Sequence, residues 1–182
     1  MRFEEQVLSG VYLVDCDVFG DERGAFARAW MPEEFAARSL ETHFAQGSIA
    51  TTRNRGTIRG LHWQVAPVEQ IKTVRVTRGA VFDVVVDLRR DSLTYGQWVG
   101  TELSADNRRL LYVPAGFAHG YQTLCDDTDV FYFASAPYSP AHEAGVRWND
   151  PAFDVKWPLG TPTVISPRDA GYPDFDPEGR RG

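Results

Sequence analysis

The sequence predicts an all-β fold of the sandwich or jelly-roll barrel kind. Short runs rich in β-branched and aromatic residues recur at close intervals and are cut by glycine, proline, asparagine and aspartate. The sixteen glycines and eleven prolines are scattered rather than collected in a linker. Many short strands with almost no helix are typical of two packed or closed sheets. The 182 residues are therefore expected to form one domain, spanning 1–182.

Eleven segments have the composition of strands. They are 10–16, 24–30, 47–52, 57–64, 70–79, 80–88, 97–104, 109–116, 120–124, 129–135 and 144–149. One helix is predicted over 31–40, because Pro32 stands near its start, acidic residues follow, and Phe35 and Leu40 have helical spacing. The proline- and glycine-rich tail after Trp157 is expected to be irregular.

Alternation along a strand sorts side chains onto two faces. In 70–79 it places Lys72 on the same face as Val74 and Val76, which is the more apolar one. A buried amine and a strand-end lysine that reaches water are about equally compatible with this position. In 80–88, Asp83 and Asp87 lie opposite a continuous apolar face, where solvent exposure, pairing with arginine and catalysis all remain open.

Charge and composition restrict the classes of partner. The net charge of −6 argues against nucleic acid or an anionic membrane as the main partner, although a local arginine cluster can still hold a small anion. The two cysteines, Cys16 and Cys125, do not form a disulfide framework. The sequence MRFEEQVLSG lacks the apolar region of a signal peptide, and no apolar run is long enough to span a membrane. A soluble cytoplasmic protein is expected.

Two of the four histidines stand out. His62 (GLHWQ) and His119 (PAGFAHGYQ) lie at strand ends beside glycine, whereas His43 is expected at the surface and His142 in a loop. By themselves, such histidines are more often structural than functional. A metal site has weaker support because no HxH pair exists, so a remote carboxylate would have to join His62 and His119. Patterns of a P-loop, a dinucleotide site or a serine nucleophile are absent from the sequence.

Nine motifs follow one another in an informative order. They are DERGAF (21–26), RGLHWQ (59–64), QIK (70–72), DVVVDLRRDSLTYGQW (83–98), PAGFAHG (114–120), YFASAPY (132–138), WNDP (148–151), WP (157–158) and SPRD (166–169). In this order and spacing the chain closely resembles the dTDP-4-dehydrorhamnose 3,5-epimerase family from about residue 10 to residue 170. The resemblance implies a cupin-type double-stranded β-helix, or jelly roll, with one or two short peripheral helices.

The resemblance also implies a reaction, the epimerisation at C3 and C5 of a dTDP-4-keto-6-deoxyhexose. The C4 ketone acidifies both positions, so neither a metal nor a redox cofactor is implied. His62 matches the base, Asp169 its carboxylate partner and Lys72 the cation that stabilises the enolate oxygen. Tyr132 matches the acid on the opposite face. Without the resemblance, Tyr132 reads as a core aromatic and Asp169 as a turn carboxylate.

The resemblance further implies a set of substrate-binding residues, in which Tyr138 stacks on the nucleotide base. The set comprises Arg23, Arg28, Ser48, Arg59, His119, Tyr138, Glu143 and Arg168. Each of them alone is equally compatible with an ordinary surface residue. Arginine suits a diphosphate because its guanidinium donates two parallel hydrogen bonds.

Three positions depart from the family pattern. Arg28 stands where glutamate is frequent, Ser48 where asparagine is common, and Phe133 where lysine usually follows the acid tyrosine. Some relatives with the same catalytic residues epimerise only C3 or only C5. A C3-only or C5-only epimerase therefore remains an alternative. A ketoisomerase, a non-catalytic sugar-nucleotide-binding cupin and a metal-dependent oxygenase are further alternatives. The resemblance also implies a homodimer, in which a segment near the N-terminus crosses to the partner.

Overall fold

The computed structural model describes residues 1–177, so the last five residues of the predicted 1–182 domain lie outside it. The strands are β1 (Arg2–Glu5), β2 (Tyr12–Asp15), β3 (Val18–Asp21), β4 (Gly24–Ala27), β5 (Gln46–Thr52), β6 (Ile58–Gln64), β7 (Lys72–Arg78), β8 (Ala80–Asp87), β9 (Trp98–Ser104), β10 (Leu110–Val113), β11 (Phe117–Thr123), β12 (Thr128–Ala134) and β13 (Glu143–Gly145). The helices are α1 (Pro32–Ala36) and α2 (Pro167–Ala170). Within residues 1–177, no helix is both long enough and apolar enough to cross a membrane.

Two antiparallel sheets make up the body of the fold. The first has the strand order β1-β2-β10-β7-β12-β5 and the second the order β13-β6-β11-β8-β9. Valines and leucines from both sheets form the main core, in which Val74 of β7 is buried together with Val81 and Val85 of β8. This arrangement confirms the predicted all-β jelly roll with two short helices.

The eleven predicted strands are all present, mostly with shorter bounds, but two further strands were missed. β1 is an edge strand of sequence RFEE and β3 is fully exposed, so neither carries an apolar periodicity. The predicted helix over 31–40 is too long. α1 ends at Ala36 because Ser39 takes a positive φ of 58° and the Leu40 amide bonds back to the Phe35 carbonyl.

The tail after Trp157 is not wholly irregular, contrary to the prediction. Ser166 caps α2: the Asp169 amide donates a 3.0 Å hydrogen bond to its hydroxyl oxygen. Pro167 occupies the first turn, where its missing amide hydrogen is not needed. Ser166 and Pro167 therefore begin a single helical turn, and that turn presents Asp169 to the interior.

The alternation predicted for β7 and β8 is confirmed. Lys72 faces a cavity inside the barrel, on the side of the buried Val74 and Val76. The apolar face of β8 points outward instead and is covered by Phe153 and Trp157 of the C-terminal segment. Covering this face leaves the opposite face of β8, which carries Asp83, to line the interior.

β3 and β4 form a separate hairpin that pairs with no other described strand. This hairpin, residues 18–27, is called the arm. The side chains of Phe19 and Phe26 on it are 56% and 60% exposed. The arm therefore presents two exposed aromatic side chains on a hairpin that no other described strand supports.

Candidate active site

Two cavities, of about 410 and 620 Å³, open inside the barrel and share three lining residues. The shared residues are His62 on β6, Lys72 on β7 and Tyr132 on β12. The smaller cavity extends past Tyr138 and Glu143, and the larger one past Arg59, His119, Arg168 and Asp169. The combined space suits a ligand with a compact group at the centre and a longer arm toward the rim.

His62 and Asp169 form a hydrogen-bonded pair. His62 Nε2 lies 2.9 Å from Asp169 Oδ1, and the Gly60 amide donates a 3.1 Å hydrogen bond to Asp169 Oδ2. Burial acts to raise the pKa of Asp169, but the hydrogen bonds from His62, Gly60 and Ser166 outweigh it and lower the pKa overall. The ionised Asp169 carboxylate therefore lies against Nε2 of His62, and Nδ1 is the ring nitrogen that remains for another partner.

Lys72 is a half-buried ammonium beside this pair. Burial lowers its pKa from the usual value of 10.5, while the negative charges of Asp83 and Glu143 act in the opposite direction. A lysine with poor access to water attracts a developing oxyanion more strongly than an exposed lysine does. Lys72 is thus placed to stabilise negative charge on a ligand in the shared part of the cavities.

A second His–Asp pair lies next to the first. His119 is directly opposite His62 on the neighbouring strand, and its Nε2 is 2.8 Å from Asp83 Oδ1. Asp83 is completely buried, and its Oδ2 has no hydrogen-bond partner in the described chain. Asp83 was not among the predicted site residues. Two sequence signals pointed to it: its position opposite the apolar face of β8, and its place at the start of the motif DVVVDLRRDSLTYGQW (83–98).

Tyr132 lies directly opposite Ser48 on β5 and Val74 on β7. Its ring contacts the main core while it also lines both cavities. Phe133 points to the other side of the sheet, where it stacks with Phe44 at 5.6 Å between ring centroids. The interpretation of Tyr132 as a plain core aromatic therefore covers only part of its environment.

The cavity rim carries a polar network of three predicted substrate-binding residues. Tyr138 and Arg168 both donate hydrogen bonds to Glu143 Oε2, and Arg168 Nη1 lies 3.3 Å from the Tyr138 hydroxyl. Arg59, which is also exposed, donates a 3.0 Å hydrogen bond to the Thr52 hydroxyl. Ser48 accepts a 3.1 Å hydrogen bond from the Gln46 side chain.

Four further residues line the smaller cavity and were not predicted as site residues. They are Gln46, Trp63, Gln64 and Gln70.

Arg23 and Arg28 are not brought to this site within one chain. Arg23 pairs with Asp21 on the arm, and Arg28 lies over the ring of Phe26 at 5.9 Å. Neither residue lines the two cavities that contain His62. In a single chain, the predicted contact of these arginines with substrate is therefore not formed.

Fold and cavity together define a jelly-roll protein with an enclosed set of acid–base side chains. Comparison with known proteins is more specific, since the family model for dTDP-4-dehydrorhamnose 3,5-epimerase matches residues 5–177. The chain belongs to the dTDP-4-dehydrorhamnose 3,5-epimerase family, which confirms the resemblance seen in its motifs.

Individual relatives cover nearly the whole chain. A dTDP-4-dehydrorhamnose 3,5-epimerase of Sinorhizobium fredii is 43% identical over 96% of this chain and 90% of its own length. A dTDP-4-dehydrorhamnose 3-epimerase of Streptomyces niveus is 40% identical over 93% of this chain and 81% of its own. The crystal structure of the Bacillus anthracis 3,5-epimerase with TDP and pyrophosphate superposes with a TM-score of 0.92, at 40% identity, and covers 96% of this chain and 99% of that one.

Proposed function

We propose that the protein epimerises C3 and C5 of a dTDP-4-keto-6-deoxyhexose, converting dTDP-4-dehydro-6-deoxyglucose to dTDP-4-dehydrorhamnose. The observation that supports this most strongly is the convergence of the His62–Asp169 pair, Lys72 and Tyr132 on one interior space. The curated relative from Sinorhizobium fredii carries the name of this activity. We expect the enzyme to work in the cytoplasm.

The reaction needs a base, a cation and an acid. His62 Nδ1 removes the proton from the carbon next to the C4 ketone, and the electron pair of the broken C–H bond forms an enolate. Lys72 stabilises the negative charge on the enolate oxygen. The Tyr132 hydroxyl returns a proton to the opposite face of the same carbon. Solvent then takes the proton from His62 and restores the one lost by Tyr132, so no net charge accumulates.

Asp169 has a separate role in this scheme. Its carboxylate fixes the orientation of the His62 ring and stabilises the imidazolium after proton abstraction. It is held in turn by the Gly60 amide and by the cap of α2. A base supported in this way keeps its geometry through two successive proton transfers.

The rim is assigned to the nucleotide. Arg59 and Arg168 suit the diphosphate because each presents a forked set of donors. Tyr138 is half exposed, so its ring is accessible for stacking on the base. His119, Glu143 and Ser48 are assigned to polar groups of the sugar nucleotide.

A C3-only epimerase is the second candidate, and the Streptomyces niveus relative with that name favours it. The chemistry at the first carbon would be the same in both cases. The two candidates differ only in whether the C5 hydrogen also exchanges with solvent. A non-catalytic sugar-nucleotide-binding cupin would bind the same ligand and show no exchange at all.

Tyr132→Phe is expected to separate the two halves of the reaction. Without the hydroxyl, His62 still removes the C3 proton and returns solvent deuterium to the same face, so exchange continues while inversion falls by about a hundredfold or more. Parallel measurement of deuterium uptake and rhamno-configured product by NMR checks this result. If uptake and inversion decline together, Tyr132 is not the acid.

We also propose a homodimer in which the arm reaches the partner's cavity. The support is that the arm pairs with no other described strand, exposes Phe19 and Phe26, and carries Arg23, which does not line the cavities of its own chain. Arg23 and Arg28 then supply cationic contacts to the nucleotide bound by the partner.

Phe26→Asp is the test of this assembly. A charge on the arm's apolar surface should shift the protein from dimer toward monomer in analytical ultracentrifugation and raise the KM at least about tenfold. Leu93→Asp is the matched control, because Leu93 is fully exposed and lies outside the arm. A wild-type protein that sediments as a monomer would contradict the proposed dimer.

A further inference from the structure

The catalytic assignment leaves one aromatic neighbour of His62 without a role. The ring of Tyr172 lies 5.8 Å from the His62 ring, at an interplanar angle of 63°. Tyr172 lines neither cavity, so it does not meet a ligand bound there. Its hydroxyl is buried and makes no hydrogen bond of ordinary geometry within residues 1–177. The ring itself packs against His62, and the Arg168 guanidinium lies 5.9 Å from the ring centroid.

The place of this ring depends on a missing side chain. Gly145 on β13 lies directly opposite His62 on β6. A Cβ atom at Gly145 would be 2.4 Å from two atoms of the Tyr172 ring, which is shorter than any real contact. Gly145 does not have the positive φ that favours glycine, so it is space rather than backbone conformation that excludes a larger residue here.

The segment that carries Tyr172 is fixed on its far side. The Phe175 amide donates a 2.6 Å hydrogen bond to the buried carboxylate of Asp150, and the Phe175 ring packs on Phe153 at 4.8 Å. Asp174 forms an ion pair with Arg147. Because these contacts hold both the backbone and the flanking side chains, the Tyr172 ring has a defined position against the base.

We propose that Tyr172 is a positioning residue for His62. Asp169 holds the imidazole at Nε2, and the Tyr172 ring restricts its remaining freedom to rotate, so that Nδ1 stays directed at the substrate carbon. This inference rests on the proposed base role of His62. Small displacements of a reacting group lower the rate steeply, which is why a ring without substrate contact can affect turnover.

Removing the ring tests the proposal. Tyr172→Ala is expected to lower kcat by about ten- to a hundredfold while the KM changes less than about twofold. The KM should hold because Arg168, which lies over this ring, is also held by Tyr138 and Glu143. Tyr172→Phe, which retains the ring, should recover most of the lost rate. Tyr95→Ala is the control, since Tyr95 packs on Phe175 at 6.3 Å and loosens the same segment away from His62. A rate for Tyr172→Ala like that of wild type, or an equal loss in Tyr95→Ala, would overturn the proposal.

Gly145→Ala displaces the ring without altering Tyr172. It should lower kcat as Tyr172→Ala does, and it should add nothing in the double variant, where the alanine at 172 leaves room for the new methyl group. Additive losses in the double variant would mean that Gly145 acts by another route and would count against Tyr172 as the shared cause.

A spectroscopic measurement on ligand-free protein separates this inference from the proposed function. The Nε2–H of His62, held by Asp169, should give a slowly exchanging proton resonance that broadens or disappears in Tyr172→Ala and is retained in Tyr172→Phe and Tyr95→Ala. An unchanged resonance in Tyr172→Ala would refute the positioning role even if the wild type is active. If the wild type shows the resonance but no turnover, loss of the resonance in Tyr172→Ala would uphold the positioning role while the proposed function fails.

Discussion

His62→Ala is expected to abolish deuterium exchange at both C3 and C5 of a dTDP-4-keto-6-deoxyhexose. A positioned general base contributes about a hundredfold to ten-thousandfold, and here one imidazole serves both carbons. The residues assigned to the nucleotide lie along the rim, so the dissociation constant for dTDP should change less than about threefold. Proton NMR of the sugar in D2O and calorimetric titration with dTDP measure the two quantities.

His43→Ala is the matched control for this substitution. His43 is exposed and lines neither cavity, so the loss of its imidazole should leave exchange and binding as in wild type. Exchange retained at either carbon in His62→Ala would remove His62 from the base role at that carbon. Weak dTDP binding by the same variant would show that His62 acts on binding instead.

Lys72→Met is expected to lower kcat by about a hundred- to a thousandfold. Methionine approximates the length and volume of lysine but provides no charge for the enolate oxygen, which carries far more negative charge than the ketone it comes from. Because the interaction strengthens mainly in the transition state, the KM should change little. A KM that rises as steeply as kcat falls would assign Lys72 to ground-state binding.

The pH dependence of activity provides a second test of Lys72. The ammonium stabilises the enolate only while it is protonated, so activity should decline as the pH rises through its pKa. Burial lowers that pKa from 10.5, and the decline should therefore begin below the range of an ordinary lysine. Asp83→Asn removes a charge that supports the ammonium and should move the decline to still lower pH. Glu143→Gln should move it less, because Glu143 acts more weakly on Lys72.

Two results would show that the decline of activity at high pH does not come from Lys72. One is a decline that stays in place, or moves to higher pH, in Asp83→Asn. The other is the same decline in the residual activity of Lys72→Met, since that variant has no ammonium to titrate. Either result would mean that the titration of another group causes the decline.

Local pattern was sufficient for most of the fold. Alternation and turn residues located every strand of the barrel body except β1, whose polar sequence RFEE lies at a sheet edge. The same alternation correctly placed Lys72 on the face of Val74 and Val76, but it left open whether the amine is buried or reaches water; the structure directs Lys72 into the cavity. Strand β3 of the arm was not predicted, because its four residues are all exposed and therefore show no alternation of apolar and polar side chains.

Less of the candidate site than of the fold could be predicted from local sequence pattern. His62 and Asp169 are 107 residues apart and meet only through the sheet and the cap of α2, so their pairing was expected from the family resemblance alone. Asp83 reaches the site through a hydrogen bond to His119 on the next strand, and Tyr172 through ring packing on His62, so neither contact follows from local pattern. Arg23 and Arg28 do not line the cavities of their own chain, so their predicted contact with substrate depends on the proposed dimer.

Proton NMR of dTDP-4-keto-6-deoxyglucose with the wild-type protein in D2O is the decisive measurement of the proposed epimerisation. Deuterium is expected at both C3 and C5, together with a rhamno-configured product. Deuterium at C3 alone would identify the mono-epimerase instead. A sugar that binds but keeps both hydrogens would contradict the acid–base mechanism assigned to His62, Lys72 and Tyr132.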